Sequence, residues 1–326
     1  MLVLLDASLN IPSVFYKLYE PFLWSQIKNG PAPHHIGLIV DGNRRFAKLK
    51  GLALNEGHDV GSRKLEDFLR WCWRLNIKIV TLYAFSRENH NRATNEVDYL
   101  MDLILKKLKQ YQVDPVIQRE RVKIKVIGQR ENLSEEMITE IEKTEALTKD
   151  HDRFQLNIAV SYGGREEIVD AVKSIAKQVQ EKQIALTDID EDLFSSHLYT
   201  EGIPDPDLII RTSGEERLSG FLLWQSAYSE LYFTVVYWPA FRMIDFWRAI
   251  RVINSGNADT GNEFILSFKA RCWRDETPGA AKAGPGAFLH PAEWAENRTA
   301  LMAINSVRIN PKNDVSPLEI VLKTIK

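Results

Sequence analysis

Short apolar runs alternate with longer amphipathic stretches along most of the chain. The apolar runs predict β-strands at 35–40, 78–83, 122–127, 154–161, 207–211 and 233–237. Apolar residues at helical spacing predict helices at 57–74, 94–117, 134–147 and 165–180. Short strands that alternate with longer helices are typical of βαβ units. The pattern therefore predicts an α/β fold with a mostly parallel six-stranded sheet, flanked by helices on both faces.

The N-terminal segment, residues 1–30, predicts an amphipathic helix over 12–29 that Pro21 interrupts. Two interpretations of this helix stay open. It either packs on the body of the protein or lies on a membrane surface, with Phe22 and Trp24 at the lipid boundary.

The composition changes near residue 253. Residues 254–326 contain five of the 13 prolines and several clusters of small residues. This composition favours a tail that is poorly ordered or loosely docked. The predicted organisation is an N-terminal helical segment (1–30), a main domain (31–253) and an atypical C-terminal tail (254–326).

Composition and charge exclude several classes of protein. With 42 Lys and Arg against 44 Asp and Glu, the net charge of −2 gives no basis for non-specific binding to nucleic acid. Two cysteines, Cys72 and Cys272, are too far apart in sequence for a CxxC metal site and too few for a disulfide framework, so a reducing compartment is favoured. No apolar run reaches the ~18–20 residues of a membrane span. We therefore expect a soluble, cytoplasmic protein.

Polar clusters follow three of the predicted strands. Residues 41–45 follow the first strand, 86–92 the second and 211–219 the fifth. Ligands of open parallel sheets bind beyond the carboxyl ends of the strands. Each cluster alone also fits an ordinary polar turn, but three arginine-containing clusters together favour a site for phosphorylated ligands. Asp41 and Glu230 are carboxylates that would suit Mg²⁺ bound with a diphosphate.

Several common enzyme motifs are absent from the sequence. There is no GxxxxGK[ST] or GxGxxG, which excludes a P-loop NTPase and a dinucleotide enzyme, and no GxSxG or HExxH. The residues alone therefore predict a metal-assisted site for two phosphorylated ligands or for one large one.

Four motifs resemble those of the cis-prenyltransferases, the undecaprenyl and dehydrodolichyl diphosphate synthases. They are HIGLIVDGNRRFA at 35–47, EGHxxG at 56–61, LYAFSxEN at 82–89, and IRTSGE with FLLWQ within 210–225. The match is collinear from about Pro33 to about Ile250, so the resemblance identifies the main domain as the catalytic domain. It implies a six-stranded α/β fold, a dimer, and repeated addition of isopentenyl diphosphate to an allylic primer, farnesyl or geranylgeranyl diphosphate, with each new double bond cis.

The resemblance also assigns roles to individual residues. Asp41 and Asn89 match catalytic positions, while Asp41 and Glu230 match positions near Mg²⁺, the implied cofactor. The positions that bind the allylic diphosphate are Gly42, Asn43, Arg44, Arg45, Phe46, His58 and Arg92. The positions that bind isopentenyl diphosphate are Ser86, Arg87, Glu88, Arg211, Arg217 and Ser219. Fixed cations suit this reaction because negative charge develops on the leaving diphosphate.

Four departures from the family pattern stand out. Leu54 replaces an arginine that often contacts the diphosphate, and His90 replaces a Trp or Phe. Phe154 falls near the floor of the product tunnel, where its bulk would shorten the product. The chain after Arg251 lacks the Arg-x-Gly motif with which homodimeric members reach the neighbouring site. A partner subunit that supplies the motif, an altered acceptor chemistry and a shifted reading frame all stay open as explanations.

Two alternatives to an autonomous polyprenyl diphosphate synthase stay open. The chain is either a subunit of a heteromeric cis-prenyltransferase or a member that uses another prenyl acceptor. A purely scaffolding subunit has no need of Asp41, Asn89 or Arg211, which argues against that role. We expect an enzyme that makes a polyprenyl diphosphate lipid carrier as a homodimer or with a related partner subunit. Because the product is amphiphilic, we also expect peripheral contact with the cytoplasmic membrane face.

Overall fold

A computed structural model describes the backbone of residues 13–256 and the side chains of residues 20–253. Its strands are β1 (His35–Ile39), β2 (Ile79–Ser86), β3 (Val122–Ile127), β4 (Phe154–Tyr162), β5 (Leu208–Arg211) and β6 (Glu230–Phe233). They form one six-stranded sheet in the order β3-β4-β2-β1-β5-β6, and every neighbouring pair is parallel. The predicted α/β fold is confirmed, and parallel pairing is more complete than predicted.

Helices connect most of the strands. They are α1 (Ser13–Ile27), α2 (Asn43–Lys50), α3 (Leu54–Arg74), α4 (Thr94–Val113), α5 (Pro115–Arg119), α6 (Glu135–Thr148), α7 (Gly164–Gln180), α8 (Glu191–Ser195) and α9 (Met243–Gly256). The sequence did not predict α2, α8 or α9. The helix predicted over 94–117 is two helices, because Asp114 accepts the Val116 N–H at 2.7 Å and Pro115 opens the second helix.

The last strand lies earlier in the chain than predicted. β6 covers Glu230–Phe233 rather than 233–237, and it pairs with β5 on one side only. An edge strand keeps much of its surface exposed, and Glu230 and Leu231 are both exposed. The predicted run overlaps β6 only at Phe233, and its later residues make backbone hydrogen bonds with the segment around Arg211–Gly214 before a short 3₁₀ turn at Trp238–Ala240.

Both faces of the sheet are buried, as expected of parallel strands. Ile36 and Leu38 of β1 belong to a large apolar cluster that includes residues of α3 and α9. Ile39 belongs instead to a smaller cluster with Phe221 and Leu222. Successive side chains of β1 therefore point to opposite faces.

Helix α1 packs on α9, which supports the first of the two interpretations of the N-terminal segment. Leu23 and Ile27 are buried in the large cluster. The Trp24 ring lies 5.2 Å from the Trp247 ring, and the Arg74 guanidinium lies 4.3 Å from the Trp24 ring. Trp24 is thus partly buried by the protein, while Phe22 is 54% exposed.

The predictions about the C-terminal tail and about membrane spans can be compared with the described residues only. Helix α9 continues through residue 253 to Gly256, and the rest of the predicted tail, 257–326, lies outside the described residues. Among the helices that are described, none combines the length and apolar character needed to cross a membrane.

Candidate active site at the carboxyl edge of the sheet

Helix α2 starts almost directly after β1. Gly42 turns the chain between them with a φ of 103°, in the left-handed region that glycine tolerates. A Cβ atom at this position would lie 2.9 Å from the Cβ of Ser213 and 2.9 Å from the Cδ1 of Tyr237, so only glycine fits. No side chain among the described residues caps α2, so its first backbone N–H groups are available to an anion.

Asp41 lies between two arginines. Arg211 Nη2, at the end of β5, is 3.0 Å from Asp41 Oδ2, and Arg45 Nη2, from the first turn of α2, is 3.4 Å from Asp41 Oδ1. Burial opposes ionisation of Asp41, but the hydrogen bond from Arg211 and the charges of both arginines outweigh it and lower the pKa of Asp41. Asp41 is therefore a carboxylate at neutral pH.

The loop after β5 adds further hydrogen bonds and ion pairs to Arg211 and Arg45. Arg211 is only 4% exposed, and it donates to Ser219 Oγ at 2.8 Å and to the carbonyl of Arg217. Arg45 donates to Glu215 Oε1 at 3.2 Å, and Arg217 donates to Glu215 Oε2 at 2.6 Å. One network of ion pairs therefore joins the loops that follow β1 and β5, which are adjacent strands.

The loop after β2 forms a second group. Ser86 ends β2, and the Asn89 N–H donates to Ser86 Oγ at 3.3 Å while the Ser86 N–H donates to Asn89 Oδ1 at 3.1 Å. This reciprocal cap fixes a 3₁₀ turn over Arg87–Asn91. Arg87 and Glu88 are exposed on that turn.

Tyr83 connects this group to the loop after β5. Its hydroxyl donates to the carbonyl of Ser219 at 3.2 Å, and its ring stacks on Phe221 at 4.7 Å. Burial and the nearby Glu88 raise the pKa of Tyr83, so the hydroxyl stays protonated as a donor. Tyr83 is not among the predicted site residues, although it lies inside the LYAFSxEN motif.

Glu96 organises a third group that the sequence analysis missed. This carboxylate is 6% exposed, and its Oε1 lies 2.8 Å from Arg92 Nη1, 3.4 Å from His58 Nε2 and 3.7 Å from Arg44 Nε. Burial and the two arginine charges lower the pKa of His58, while Glu96 opposes them. The one signal in the sequence was the spacing of Arg92 and Glu96, four residues apart at the start of a predicted helix.

Three buried polar atoms of the predicted site have no hydrogen-bond partner among the described residues. They are Arg211 Nε, Asn43 Oδ1 and His58 Nε2. His58 Nε2 lies near Glu96 but is not aligned for a hydrogen bond. Only two other buried side-chain atoms of the described residues share this property, on Gln225 and Trp247. Since buried polar groups are normally paired, the concentration of unpaired atoms here indicates a site that a polar ligand completes.

An apolar cavity of about 100 Å³ begins beside Asn43 and His58. It runs between α3 and α4 over the sheet and reaches Lys107 and Tyr111. Its apolar lining includes Leu65, Leu82, Leu100, Leu103, Ile104 and Ile158. The cavity therefore offers a hydrocarbon chain a path that starts at the charged network.

Most of the predicted site residues lie at the carboxyl edge of the sheet. They are Asp41, Gly42, Asn43, Arg44, Arg45 and Phe46 on the β1–α2 segment, Ser86, Arg87, Glu88, Asn89 and Arg92 after β2, His58 on α3, and Arg211, Arg217 and Ser219 after β5. Because the four segments follow or face adjacent strands, residues far apart in the sequence meet in space.

Glu230 is the exception, because the structure does not bring it beside Asp41 within one chain, and its predicted place near the metal ion stays a prediction. Glu230 begins β6 and pairs with Leu208, whereas Arg211, three residues further along β5, lies beside Ile39. At ~3.3 Å per residue, Glu230 and Asp41 are separated by more than ~10 Å along the sheet. Glu230 is also exposed, so its position in an aromatic segment does not desolvate it.

The departures from the family pattern have defined positions. Leu54 is 43% exposed at the start of α3. His90 Nε2 lies 3.0 Å from Ser161 Oγ, and the His90 ring packs edge-on against Phe85 at 4.8 Å. Phe154 begins β4 and packs on Trp73 at 5.7 Å, so it does not line the cavity described above.

The donor set around Asp41 fits a divalent ion only together with a diphosphate. The described residues contain no group of three or more His, Cys, Asp or Glu side chains that would hold a metal alone. Asp41 is 32% exposed and both of its oxygens face arginines. A diphosphate that drew the arginines to itself would free Asp41 for Mg²⁺, which accepts few protein ligands with phosphate oxygens and water.

Comparison with known proteins agrees with this geometry. Residues 39–260 match the family model described as putative undecaprenyl diphosphate synthase. A synthase of Thermoplasma volcanium, named tritrans,polycis-undecaprenyl-diphosphate synthase (geranylgeranyl-diphosphate specific), is 50% identical over 234 residues, which are 72% of this chain and 91% of that protein. An isoprenyl transferase of Thermus thermophilus is 49% identical over 240 residues, with the same coverage.

A solved structure gives the same result. The crystal structure of lavandulyl diphosphate synthase from Lavandula x intermedia, in complex with dimethylallyl diphosphate, superposes with a TM-score of 0.66 and 35% identity. The alignment covers 68% of this chain and 95% of that one. The chain therefore belongs to the undecaprenyl diphosphate synthase family of prenyltransferases.

Proposed function

We propose that the chain elongates an allylic diphosphate with isopentenyl diphosphate units and releases a polyprenyl diphosphate. The observation that carries this proposal is that the apolar cavity begins at Asn43, which lies in sequence between Asp41 and Arg45 of the Asp41–Arg211–Arg45 network, and at His58, which lies beside Glu96. A charged network binds the diphosphates, and an apolar cavity accepts the growing chain. Neither feature alone specifies the reaction, but their junction suits a substrate with a diphosphate head and a hydrocarbon tail.

Two sets of residues in the site would bind the two diphosphates. The α2 N terminus with Asn43, Arg44 and Arg45 would bind the allylic diphosphate, and Arg92 and His58, positioned by Glu96, would complete that pocket. Arg211, Arg217 and Ser219 after β5 would bind isopentenyl diphosphate together with Ser86, Arg87, Glu88 and Asn89 after β2. Fixed guanidinium groups stabilise the leaving diphosphate, because they need not reorganise as its charge develops. When bound, Mg²⁺ on Asp41 would supply further stabilisation of that charge.

We propose geranylgeranyl diphosphate as the primer. The support is that relatives from Thermoplasma volcanium and Archaeoglobus fulgidus, which are 50% and 48% identical, are named as specific for geranylgeranyl diphosphate. Purified chain is incubated with Mg²⁺, labelled isopentenyl diphosphate and either geranylgeranyl or farnesyl diphosphate, and the products are separated by length. We expect a higher kcat/KM with geranylgeranyl diphosphate. A preference for farnesyl diphosphate would contradict this choice of primer.

The same assay tests the reaction and its alternatives. Products that differ by five-carbon steps support elongation, and a single condensation with another acceptor contradicts it. Asp41→Ala should abolish transfer, whereas a scaffolding subunit would lose nothing in its assembled complex. If the purified chain alone is inactive, an Arg-x-Gly segment grafted after Arg251 tests whether the missing motif is the cause.

The proposed cofactor, assembly and location follow the family resemblance. EDTA should stop transfer and Mg²⁺ should restore it. We propose a homodimer, supported by the exposed edge strand β6 with Leu231 42% exposed, and light scattering measures the mass directly. A cytoplasmic location is supported by the free thiol of Cys72. Fractionation of the native cells tests this location together with the expected contact at the membrane face.

A further inference from the structure

An exposed apolar turn joins α2 to α3 close to the active site. We call residues Lys48–Leu54 the lysine–leucine turn. Every residue of the turn is exposed, and Leu49, Leu52 and Leu54 are 71%, 37% and 43% exposed. None of these leucines belongs to a core cluster or lines the apolar cavity. Three exposed leucines within six residues form a concentrated apolar surface rather than scattered exposure.

The backbone holds the turn away from the body of the protein. Gly51 adopts a φ of 66° and caps α2 through hydrogen bonds from its N–H to the Ala47 and Lys48 carbonyls. Among the described residues, no atom outside the immediate chain lies within 4 Å of the position a Cβ would take at Gly51, so the space beside Gly51 is open to them. The apolar side chains therefore project from a defined backbone.

The charges of the turn indicate what it binds. Lys48 and Lys50 alternate with the leucines, and the turn carries no acidic residue. The nearest acid, Glu56, is turned back to accept the Ala53 N–H at 2.8 Å. Leucines that enter an acyl-chain boundary, with lysines that reach the headgroups above it, are typical of peripheral contact with an anionic bilayer.

We propose that the lysine–leucine turn docks the protein on an anionic lipid surface. The turn joins the helix that begins at the diphosphate site to the helix that lines the apolar cavity, so docking would hold both helices against the bilayer. This surface differs from helix α1, whose Trp24 is occupied by Trp247 and Arg74. A second copy of this chain is the competing occupant of the turn.

Vesicle binding of the full chain tests the proposal. Sedimentation with vesicles of phosphatidylcholine, with or without about 30% phosphatidylglycerol to supply the anionic surface, is compared for the native chain and for Leu49→Ser/Leu52→Ser. The matched control, Leu147→Ser/Leu186→Ser, removes leucines that are 51% and 73% exposed elsewhere. We expect the native chain and the control to bind the anionic vesicles, and the turn variant to bind at least about tenfold more weakly.

A charge variant separates the lysines from the leucines. Lys48→Gln/Lys50→Gln should weaken binding to anionic vesicles by about tenfold or more, and the loss should shrink at high salt. Lys149→Gln/Lys182→Gln, at exposed lysines outside the turn, should bind like the native chain. Circular dichroism and prenyl transfer measured in detergent are expected to be unchanged in both variants, so a failure of docking is distinguishable from a failure of the proposed reaction.

Several outcomes would overturn the proposal. These are a native chain that ignores anionic vesicles, a turn variant that binds as well as the native chain, and a control variant that loses as much binding as the turn variant. If Phe22→Ser alone removed binding, α1 would be the contact. If the turn variant dissociated a dimer in light scattering, a second copy would be the occupant.

Discussion

The two edges of the sheet use similar polar residues in opposite ways. At the amino edge, Asp207 Oδ2 accepts the backbone N–H groups of His34 and His35, at 2.6 and 2.9 Å. At the carboxyl edge, Asp41 faces Arg211 and Arg45, which are side chains. Backbone partners cannot leave, whereas arginine side chains can turn to a new anion. The carboxyl edge is therefore the one that a diphosphate can rearrange.

Histidines at the two edges show the same difference. His35 at the amino edge lies 2.6 Å from the Pro204 carbonyl through Nδ1 and 2.7 Å from Thr81 Oγ1 through Nε2, so both ring nitrogens are satisfied. His58 at the carboxyl edge is also buried, but its Nε2 has no hydrogen bond to the described residues. A satisfied buried histidine stabilises the fold, and an unsatisfied one is available to a ligand.

Replacing one aspartate at each edge tests this comparison most directly. Asp41→Asn keeps the shape of the side chain but removes the charge, and we expect kcat/KM to fall about 10³-fold. Asp207→Asn should instead lower the free energy of unfolding by about 1 kcal/mol and leave kcat unchanged. Steady-state kinetics and urea unfolding on both variants measure the two effects. Equal losses of activity would show that the edges do not differ in this way.

The amino edge should also give the protein a pH-dependent stability. Burial lowers the pKa of His35 to about 4 from an ordinary 6.5, and the Pro204 carbonyl only partly opposes it. Between these pH values the unfolded chain binds the proton and the folded chain does not, so stability falls as the pH is lowered from 6.5 towards 4. At about 1.4 kcal/mol per pH unit, the loss is about 3 kcal/mol.

Urea unfolding at about pH 7 and about pH 4.5, which span most of the interval between the two pKa values, measures how stability depends on pH. His35→Gln has no imidazole at that position, so its stability should change less between the two pH values than that of the native chain. His34→Gln, at the exposed neighbouring residue, should keep the native dependence. An unchanged slope in His35→Gln would assign the pH effect to other groups.

The sequence predicted some elements of the fold better than others. Buried strands such as His35–Ile39 and Val122–Ile127 are continuous apolar runs, which the pattern identifies within one residue. Helix α2 has only eight residues and few apolar ones, so periodicity does not identify it. The edge strand β6 is half exposed, and the pattern predicted a strand in the more apolar segment 233–237 instead.

The candidate site was predictable where one segment carries several of its residues. The cluster at 41–45 and the loop 211–219 were found because strand ends and arginines coincide in the sequence. Glu96 was missed because its partners come from α2, from α3 and from the residues just before α4, and only the fold brings them together. The distance of Glu230 from Asp41 within the chain was not predictable, because it depends on the register of β6 on β5, which the local sequence does not specify.

Glu96 extends the comparison of the two edges, because this residue at the carboxyl edge acts by positioning other side chains. Glu96→Gln removes the charge that holds Arg92 and His58, and we expect the KM for the allylic diphosphate to rise about 10–100-fold with a smaller change in kcat. Its loss should also lower the pKa of His58, since Glu96 is the group that raises it. A pH profile of kcat/KM measures that shift.

Two variants control this experiment. Glu96→Asp keeps the charge and should recover part of the lost affinity. Glu136→Gln removes a carboxylate that is 62% exposed and lies 2.7 Å from Lys109, an ion pair worth little in water. A purely structural role for Glu96 would lower stability while leaving the KM and the pH profile at their native values.

The smallest expected effect concerns packing behind the α2 N terminus. A Cβ at Gly61 of α3 would lie 2.2 Å from Asn43 Oδ1 and 3.1 Å from Trp238 Cδ1. Gly61→Ala should therefore displace the Asn43 amide and lower kcat/KM about tenfold, the effect of about 1.4 kcal/mol. Gly202→Ala is the control, because Gly202 has a φ of 72° but nothing within 4 Å of the added Cβ. It should lower stability by about 1 kcal/mol with native kinetics. Native kinetics in Gly61→Ala would mean that the position of Asn43 does not matter to the carboxyl edge, and that the charges alone define the site.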